Sequence, residues 1–254
     1  MKLLKTVNTV SSNQITSFTI SSGQIDSTYE PYSVFLAEDG SLLPYVLIGK
    51  YWNNSSSRMQ SVSNTSATTM AIGTARTYAR NRGTGYQQYD WQFQKLWQDL
   101  IICFKATINT NSGTAWTTDE LGIYWGTTST WVDGVANDTA SLVFSYKPTQ
   151  YIDSPTSSST GYQAASYTLP TTSSEISKLG YDSSNPFINY PSATTSNSSY
   201  NTYYCDGYYY SSDNHPVYSY VGFGATNDGA FYCSANNAWS STFGVRLCYR
   251  PLSA

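Results

Sequence analysis

Tyrosine is the residue type whose chemistry stands out in this chain, and it is concentrated between residues 200 and 250. That segment holds ten of the 24 tyrosines, set among Ser, Asn, Asp and Gly residues. Tyrosine rings give large, stiff contact area, while Ser, Asn and Gly supply adaptable hydrogen bonds at a small entropic cost. This composition predicts a surface that binds a ligand by ring stacking and hydrogen bonding.

Side chains suited to catalysis or metal binding are scarce by comparison. The single histidine, His215, has no recognisable Ser-His-Asp or Cys-His arrangement around it, and it cannot supply a multi-histidine iron site alone. The pairs Asn227-Asp228 and Asn236-Asn237 are more typical of turns than of the ligands that hold calcium in lectins. We therefore predict no enzyme activity, no metal and no cofactor, with His215 in a binding loop.

The four cysteines are widely spaced and form no CxxC pair that would suit zinc. Because the chain starts without a convincing signal peptide, we expect it to be made in a reducing cytoplasm with free thiols. A disulfide between Cys233 and Cys248 is the alternative.

Short apolar runs separated by glycines are expected to position the tyrosine-rich segment. The pattern predicts strands near residues 221–224, 229–232 and 244–249, joined by loops over 225–228 and 234–242.

Alanines at four-residue spacing predict a first helix over residues 67–82, which Gly83 and Gly85 end. Three arginines near its end are expected on a solvated helix face, with a basic patch for an acidic ligand as the alternative. These arginines are Arg76, Arg80 and Arg82.

A second helix is predicted from its cap and its periodicity. Asp90 is the expected N-cap, and apolar residues recur at three- and four-residue steps from Tyr89 to Phe104. Trp91, Phe93 and Trp97 are interpreted as core residues. The polar residues on the opposite side are Gln92, Gln94, Lys95, Gln98 and Asp99.

The C-terminal part of the chain contains four short motifs: Tyr203-Tyr204-Cys205-Asp206, Val221-Gly222-x-Gly224, Gly229-Ala230-Phe231-Tyr232 and Gly244-x-Arg246-Leu247. These motifs resemble those of phage proteins with a C-type-lectin-like, formylglycine-generating-enzyme-like fold, including variable proteins of diversity-generating retroelements. Phe223 stands where a second glycine is usual, and Val245 where alanine is common. The resemblance covers residues 44–250 and implies an α+β fold in which two helices pack on small antiparallel sheets. Residues 149–175 resemble a long insertion around the core.

The resemblance also implies roles for individual residues. Scaffold positions would be Gly222, Gly224, Gly229, Phe231, Gly244 and Arg246. Ligand contacts would come from Tyr208, Tyr209, Tyr210, Tyr218, Asn227, Asp228, Asn236, Asn237 and Trp239. The predicted function is that of a receptor-binding protein on a phage tail fibre or tail tip, recognising a bacterial surface protein or glycan.

Two other functions remain open at this stage. The same face could contact neighbouring virion proteins in a decoration or tail-assembly subunit, and a bacterial surface adhesin is a third reading that the missing export signal disfavours. Each virion role implies contact with other virion proteins and a homo-oligomer, such as a trimer. Residues 1–43 would form a small N-terminal β element for attachment or oligomerisation, or would add strands to the lectin-like domain of residues 44–254.

Composition narrows the range of partners. Charged residues make up 11% of the chain and the formal net charge is −3, so the basic footprint of a nucleic-acid-binding protein is missing. No apolar run approaches the roughly 20 residues that a bilayer span needs. We expect no nucleic acid partner and no membrane insertion.

Overall fold

Within the residues that it describes, the computed structural model combines two helices with three mainly antiparallel sheets, so the predicted α+β class is confirmed. It describes residues 4–11, 14–23, 25–63, 67–105, 121–123, 130–138, 141–152, 161–196, 206–210, 217–221, 231–236 and 243–251. The strands of this described part are β1 (Lys5–Ser11), β2 (Gln14–Ser21), β3 (Glu30–Pro31), β4 (Leu47–Ile48), β5 (Tyr86–Gln88), β6 (Thr130–Asp138), β7 (Ser141–Phe144), β8 (Gln163–Thr168), β9 (Ser174–Leu179), β10 (Pro191–Thr195), β11 (Gly207–Tyr209), β12 (Val217–Val221), β13 (Cys233–Asn236) and β14 (Leu247–Tyr249). The helices are α1 (Ile72–Arg80) and α2 (Trp91–Lys105), with 3₁₀ turns η1 (Ser33–Phe35) and η2 (Pro148–Gln150).

The strands form three sheets. The largest has the order β10-β9-β11-β13-β12-β6-β7-β8, and its neighbours are antiparallel except for the parallel pair of β11 and β13. A second sheet contains β1, β2 and β3, and a third has β14 between β4 and β5. Strand β14 therefore joins two strands that precede α2 in the sequence.

Two apolar clusters make up the core. The first packs α2 against the large sheet and contains Trp97, Val132 and Tyr208. The second packs α1 against Trp131 and Val245. Because successive side chains of a strand point to opposite faces, the neighbours Trp131 and Val132 on β6 serve the two different clusters.

Helix α1 covers only part of the predicted range 67–82. The backbone of the preceding residues bonds elsewhere, because the Thr68 N–H donates to the Asn53 carbonyl at 2.7 Å and the Met70 N–H donates to the Phe243 carbonyl at 3.2 Å. These bonds hold the segment in an extended form and delay the start of the helix to Ile72.

Helix α2 begins where its cap predicts. The Asp90 Oδ1 atom accepts the backbone N–H groups of Gln92 and Phe93, both at 3.1 Å, which is the bonding pattern of an N-cap. Trp91, Phe93 and Trp97 are at most 2% exposed. Their interpretation as core residues is confirmed.

The polar side of α2 is buried as well. Its residues are Gln92, Gln94, Lys95, Gln98 and Asp99. Phe104, in contrast, lies at the end of the predicted apolar stripe but is 59% exposed. The helix is thus enclosed on both sides along most of its length, which requires another segment to cover the polar side.

The N-terminal segment contributes to that cover. Tyr32 donates a hydrogen bond to Asp99 Oδ2 at 2.8 Å, and Lys95, which is paired with Asp99, lies over the ring of Phe18. Burial is the largest cause that raises the pKa of the Asp99 carboxyl and lowers that of Lys95. Tyr32 and Phe35 are fully buried in the first cluster, so the described part of residues 1–43 packs on the rest of the domain.

The segment 149–175, which resembles a long insertion, contains in its described part the end of η2, all of β8 and the start of β9. Strand β8 reads QAASYT, and its small and polar residues hide the apolar alternation by which strands are usually recognised.

The described cysteines are free thiols. Cys233 and Cys248 are buried on β13 and β14, which belong to different sheets, and Cys103 is exposed on α2. The free-thiol prediction is confirmed for these three residues, and the alternative disulfide is wrong. Cys205 lies outside the described residues.

The Asp90 carboxylate connects several distant segments. Besides capping α2, its Oδ2 atom accepts hydrogen bonds from Arg250 Nη2 at 2.8 Å, from the Tyr151 hydroxyl at 2.9 Å and from the Gln87 amide at 2.8 Å. Asp90 is fully buried, so these bonds are shielded from water. One side chain therefore holds together β5, α2, the residue after η2 and the residue that follows β14.

We predict that Asp90→Ala lowers the free energy of unfolding by about 3–5 kcal/mol, because it leaves the buried Arg250 charge without its partner. Urea denaturation measures the change. Asp26→Ala is the matched control, since Asp26 is exposed and its carboxylate bonds, among the described residues, to nearby Thr28; it is expected to change stability by less than about 1 kcal/mol. Equal effects of the two substitutions would contradict a central role for Asp90.

Candidate binding surface

The three consecutive tyrosines of the tyrosine-rich segment divide between the core and the surface. Tyr208 is 1% exposed, whereas Tyr209 is 54% exposed and Tyr210 is half-buried. The split follows from the alternation of side chains along β11. The prediction of Tyr208 as a ligand contact is corrected: its ring lies in the core, and Tyr209 presents the exposed ring.

Tyr209 lies beside a second tyrosine ring. The centroids of Tyr209 and Tyr232 are 5.9 Å apart, and the ring planes meet at 56°. Gly207 makes room for this pair, because a Cβ atom at that position would come within 3.2 Å of Tyr232 Cε2. The two rings and the space above Gly207 form what we call the tyrosine surface, defined by Gly207, Tyr209 and Tyr232.

An aromatic layer beneath the tyrosine surface links it to α2. Tyr208 meets Tyr190 edge to face with centroids 6.4 Å apart, and Tyr190 packs on Trp91 at 5.0 Å. Tyr208 also pairs in register with buried Cys233 on the neighbouring strand. The exposed ring of Tyr209 is therefore carried by a strand whose opposite side is fixed in the core.

A buried carboxylate fixes the strands around the tyrosine surface. Asp206 Oδ2 accepts the backbone N–H of Phe231 at 2.9 Å, and the Asp206 carbonyl accepts the N–H of Ile176 at 2.8 Å. These bonds tie the residue before β11 to β9 and to the residues that lead into β13. Phe231, a predicted scaffold residue, is 2% exposed and belongs to the first core cluster.

The other predicted contacts lie partly within the described residues. The Tyr210 N–H donates to Ser173 Oγ at 2.9 Å, and Tyr218 on β12 stands opposite Asn236 on β13 in the strand register. The predicted contacts Asn227, Asp228, Asn237 and Trp239, the scaffold glycines Gly222, Gly224 and Gly229, and His215 all lie outside the described residues.

The predicted scaffold residue Arg246 is fully buried and bonds to a distant part of the chain. Its Nη1 atom donates to the carbonyls of Gly49 and Lys50 at 2.6 and 3.0 Å, and its guanidinium lies 4.6 Å from the centre of the Trp52 ring. Nearby, the Gly244 carbonyl accepts the N–H of Trp131 at 3.1 Å. Arg246 thus fastens the C-terminal strand to the region around β4.

The sequence interpretation missed a buried ion pair on α1. Arg76 is 4% exposed rather than solvated, and it contacts Asp133 through Nη2–Oδ1 at 2.7 Å and Nε–Oδ2 at 3.3 Å. It also donates to the carbonyls of Tyr151 and Ile152. Its spacing in the sequence could have indicated the burial of Arg76, because Arg76 lies four residues after the buried Ile72 and therefore on the same helix face. The expectation of a solvated face for Arg76 is wrong.

Comparison with known proteins does not assign the chain to a family. A scan against models of protein families gives no match, and a search of the curated proteins gives none either. Neither α1 nor α2, the helices of the described residues, has the length and apolar character of a membrane span. In the same part of the chain, no three His, Cys, Asp or Glu side chains are grouped so as to hold a metal ion.

We predict that substitutions of the neighbouring residues Tyr208 and Tyr209 on β11 affect the free energy of unfolding differently. Tyr208→Ala should lower the free energy of unfolding by about 3–5 kcal/mol because it empties a core position. Tyr209→Ala should change it by less than about 0.5 kcal/mol because that ring is largely exposed. Tyr208→Phe is the control for ring packing: it keeps the ring and should retain most of the stability. Denaturation of the three variants tests this assignment, which a stable Tyr208→Ala variant would contradict.

Proposed function

We propose that the chain is a receptor-binding protein of a phage virion, in a tail fibre or tail tip, which recognises a ligand on the bacterial surface through its tyrosine surface. The observation that carries this proposal is the exposed Tyr209 ring beside Tyr232, supported by a buried layer of aromatic residues. Tyrosines are frequent at binding hot spots because they combine a large apolar ring with a polar tip.

A rigid support favours binding because little freedom remains to be lost when a ligand arrives. The strand that carries Tyr209 is fixed on one side by the core packing of Tyr208 and on the other by the bonds of Asp206. The surface is therefore largely organised in advance.

The fold supports a C-type-lectin-like domain as part of this proposal. Two helices with mainly antiparallel sheets are compatible with that fold, and Arg246 of the Gly244-x-Arg246-Leu247 motif is a buried anchor, as the resemblance implies. On this proposal the predicted contacts Asn227, Asp228, Asn237 and Trp239 bind the ligand as well. They belong to the part of the sequence that a diversity-generating retroelement would vary. Several copies on one particle would sum weak contacts into firm attachment.

Adsorption to cells tests the proposal. We expect labelled protein to sediment with cells of susceptible isolates in a bacterial panel, and Tyr209→Ala to weaken this binding about tenfold or more, as loss of a hot-spot ring does. Tyr146→Ala is the matched control, because Tyr146 is 37% exposed and does not belong to the tyrosine surface. It should bind cells as the unsubstituted protein does.

Two results would count against receptor binding. Equal adsorption of the Tyr209→Ala and Tyr146→Ala variants would remove the tyrosine surface from the interaction. Failure of the unsubstituted protein to bind any isolate, together with a Tyr209-dependent association with another virion protein, would identify the surface as an assembly contact instead.

A further inference from the structure

A carboxylate lies beside the rings of the tyrosine surface. Glu175 on β9 stands directly opposite Gly207 on β11 in the antiparallel register, so their Cβ positions are about 4.5–5.5 Å apart on the same face of the sheet. The rings of Tyr232 and Tyr209 reach the same place, because their Cε2 atoms lie 3.2 and 3.5 Å from where a Cβ atom of Gly207 would stand. The carboxylate and the two rings therefore border one small area.

The carboxylate of Glu175 has no bonding partner in the described part of the protein. It accepts no side-chain or backbone hydrogen bond there, and it belongs to none of the ion pairs. Glu175 is only partly buried, and neither of its carboxylate oxygens is closed off from solvent. An ionised carboxylate can only accept hydrogen bonds, so Glu175 is accessible to a ligand that donates them.

The positive charge nearest to Glu175 along its own strand does not neutralise it. Lys178 lies three residues further along β9, roughly 10 Å away at the rise of an extended strand, and the two side chains form no ion pair. A ligand that covers the tyrosine surface would therefore remove water from an uncompensated carboxylate. This removal is costly unless an opposite charge takes the place of the water, so the surface favours a cationic ligand over a neutral or anionic one.

The aromatic rings favour the same sign of charge. The face of a tyrosine ring is negative, and it attracts a cation that lies within about 6 Å of the ring centre. Tyr209 is 54% exposed, and its ring is tilted at 56° to that of Tyr232 instead of being stacked on it, so the contact between the rings does not cover the Tyr209 face. Ring face and carboxylate together suit a cation that also carries N–H donors.

We propose that the tyrosine surface binds a primary ammonium group, which packs on the Tyr209 ring and donates hydrogen bonds to the Glu175 carboxylate. A quaternary ammonium would supply the charge but no N–H group for the carboxylate. Lysine side chains and amino sugars both carry a primary ammonium, and they are the two sources that the probes must separate. This inference rests on the proposed binding role of the tyrosine surface and names the group that is recognised.

The test titrates the full chain with two ammonium probes, Nα-acetyl-lysine amide and glucosamine. Each is compared with its neutral form, Nα,Nε-diacetyl-lysine amide or N-acetylglucosamine, at about pH 6, where glutamates are ionised and primary amines are protonated. Saturation-transfer NMR should show that at least one ammonium probe binds with a Kd about tenfold or more below that of its neutral form. The probe that binds identifies the source, and the comparison needs no variant because only the ligand changes.

Two substitutions locate the bound ammonium group. Glu175→Gln should weaken binding of the ammonium probe about tenfold or more at an unchanged melting temperature, because no bond to a described residue is lost. Glu30→Gln is the matched control: it removes the same charge from an exposed residue of β3, in another sheet, and should bind normally. Tyr209→Ala should also lose binding, whereas Tyr209→Phe keeps the ring face and should retain it.

Three results would overturn the inference: equal or absent binding of the ammonium probes and their neutral forms, unchanged binding by Glu175→Gln, or unchanged binding by Tyr209→Ala. Its failure can be told apart from failure of the proposed function. Cell adsorption that depends on Tyr209 but not on Glu175 would overturn the ammonium inference and leave receptor binding intact. Ammonium binding that depends on both residues, without adsorption to any isolate, would support the inference and count against receptor binding alone.

Discussion

The buried carboxylate of Asp90 is the constraint on which much of the fold depends. It accepts hydrogen bonds from two backbone N–H groups of α2 and from the side chains of Gln87, Tyr151 and Arg250. These partners come from segments that are far apart in sequence, so the carboxylate holds the small C-terminal sheet, the residue after η2 and the start of α2 together. A buried charge whose hydrogen bonds are all made fixes the orientation of its partner segments and stabilises the fold, because each donor has to approach from its own direction.

The protein places many of its few charges inside. In the described part of the chain nine charged residues are buried, although charged residues make up only 11% of the sequence. The pair of Arg76 with Asp133 connects α1 to β6. The pair of Lys95 with Asp99 lies within α2, and its carboxylate accepts a hydrogen bond from Tyr32 in the N-terminal segment. The polar groups on the surface are therefore mostly those of uncharged Ser, Thr, Asn and Tyr side chains. Contacts made by such a surface respond weakly to salt, because screening acts on charges.

The parts of the fold that could be predicted from sequence are those in which two local signals agree. Helix α2 has an Asp90 cap and apolar residues at helical spacing, and the structure contains both the cap and the buried apolar face. Arg76 was misjudged because its partner Asp133 is remote in sequence and nothing near the arginine indicates it. Tyr208 and Tyr209 could not be told apart, since identical neighbours carry no apolar and polar alternation. Strand β8 was missed because its small polar residues resemble those of a loop.

Strand β14 lies between β4 and β5, and Arg246 just before it holds the carbonyls of Gly49 and Lys50. During synthesis, β4 and β5 leave the ribosome long before their shared partner exists. The small sheet can therefore close only after residues 247–249 have been made, and pairing over such sequence distances is slow. A chain that stops before this strand would leave both earlier strands unpaired and exposed to proteolysis. The order of synthesis therefore favours full-length chains, because the small sheet closes only after the tyrosine-rich segment and β14 have been translated.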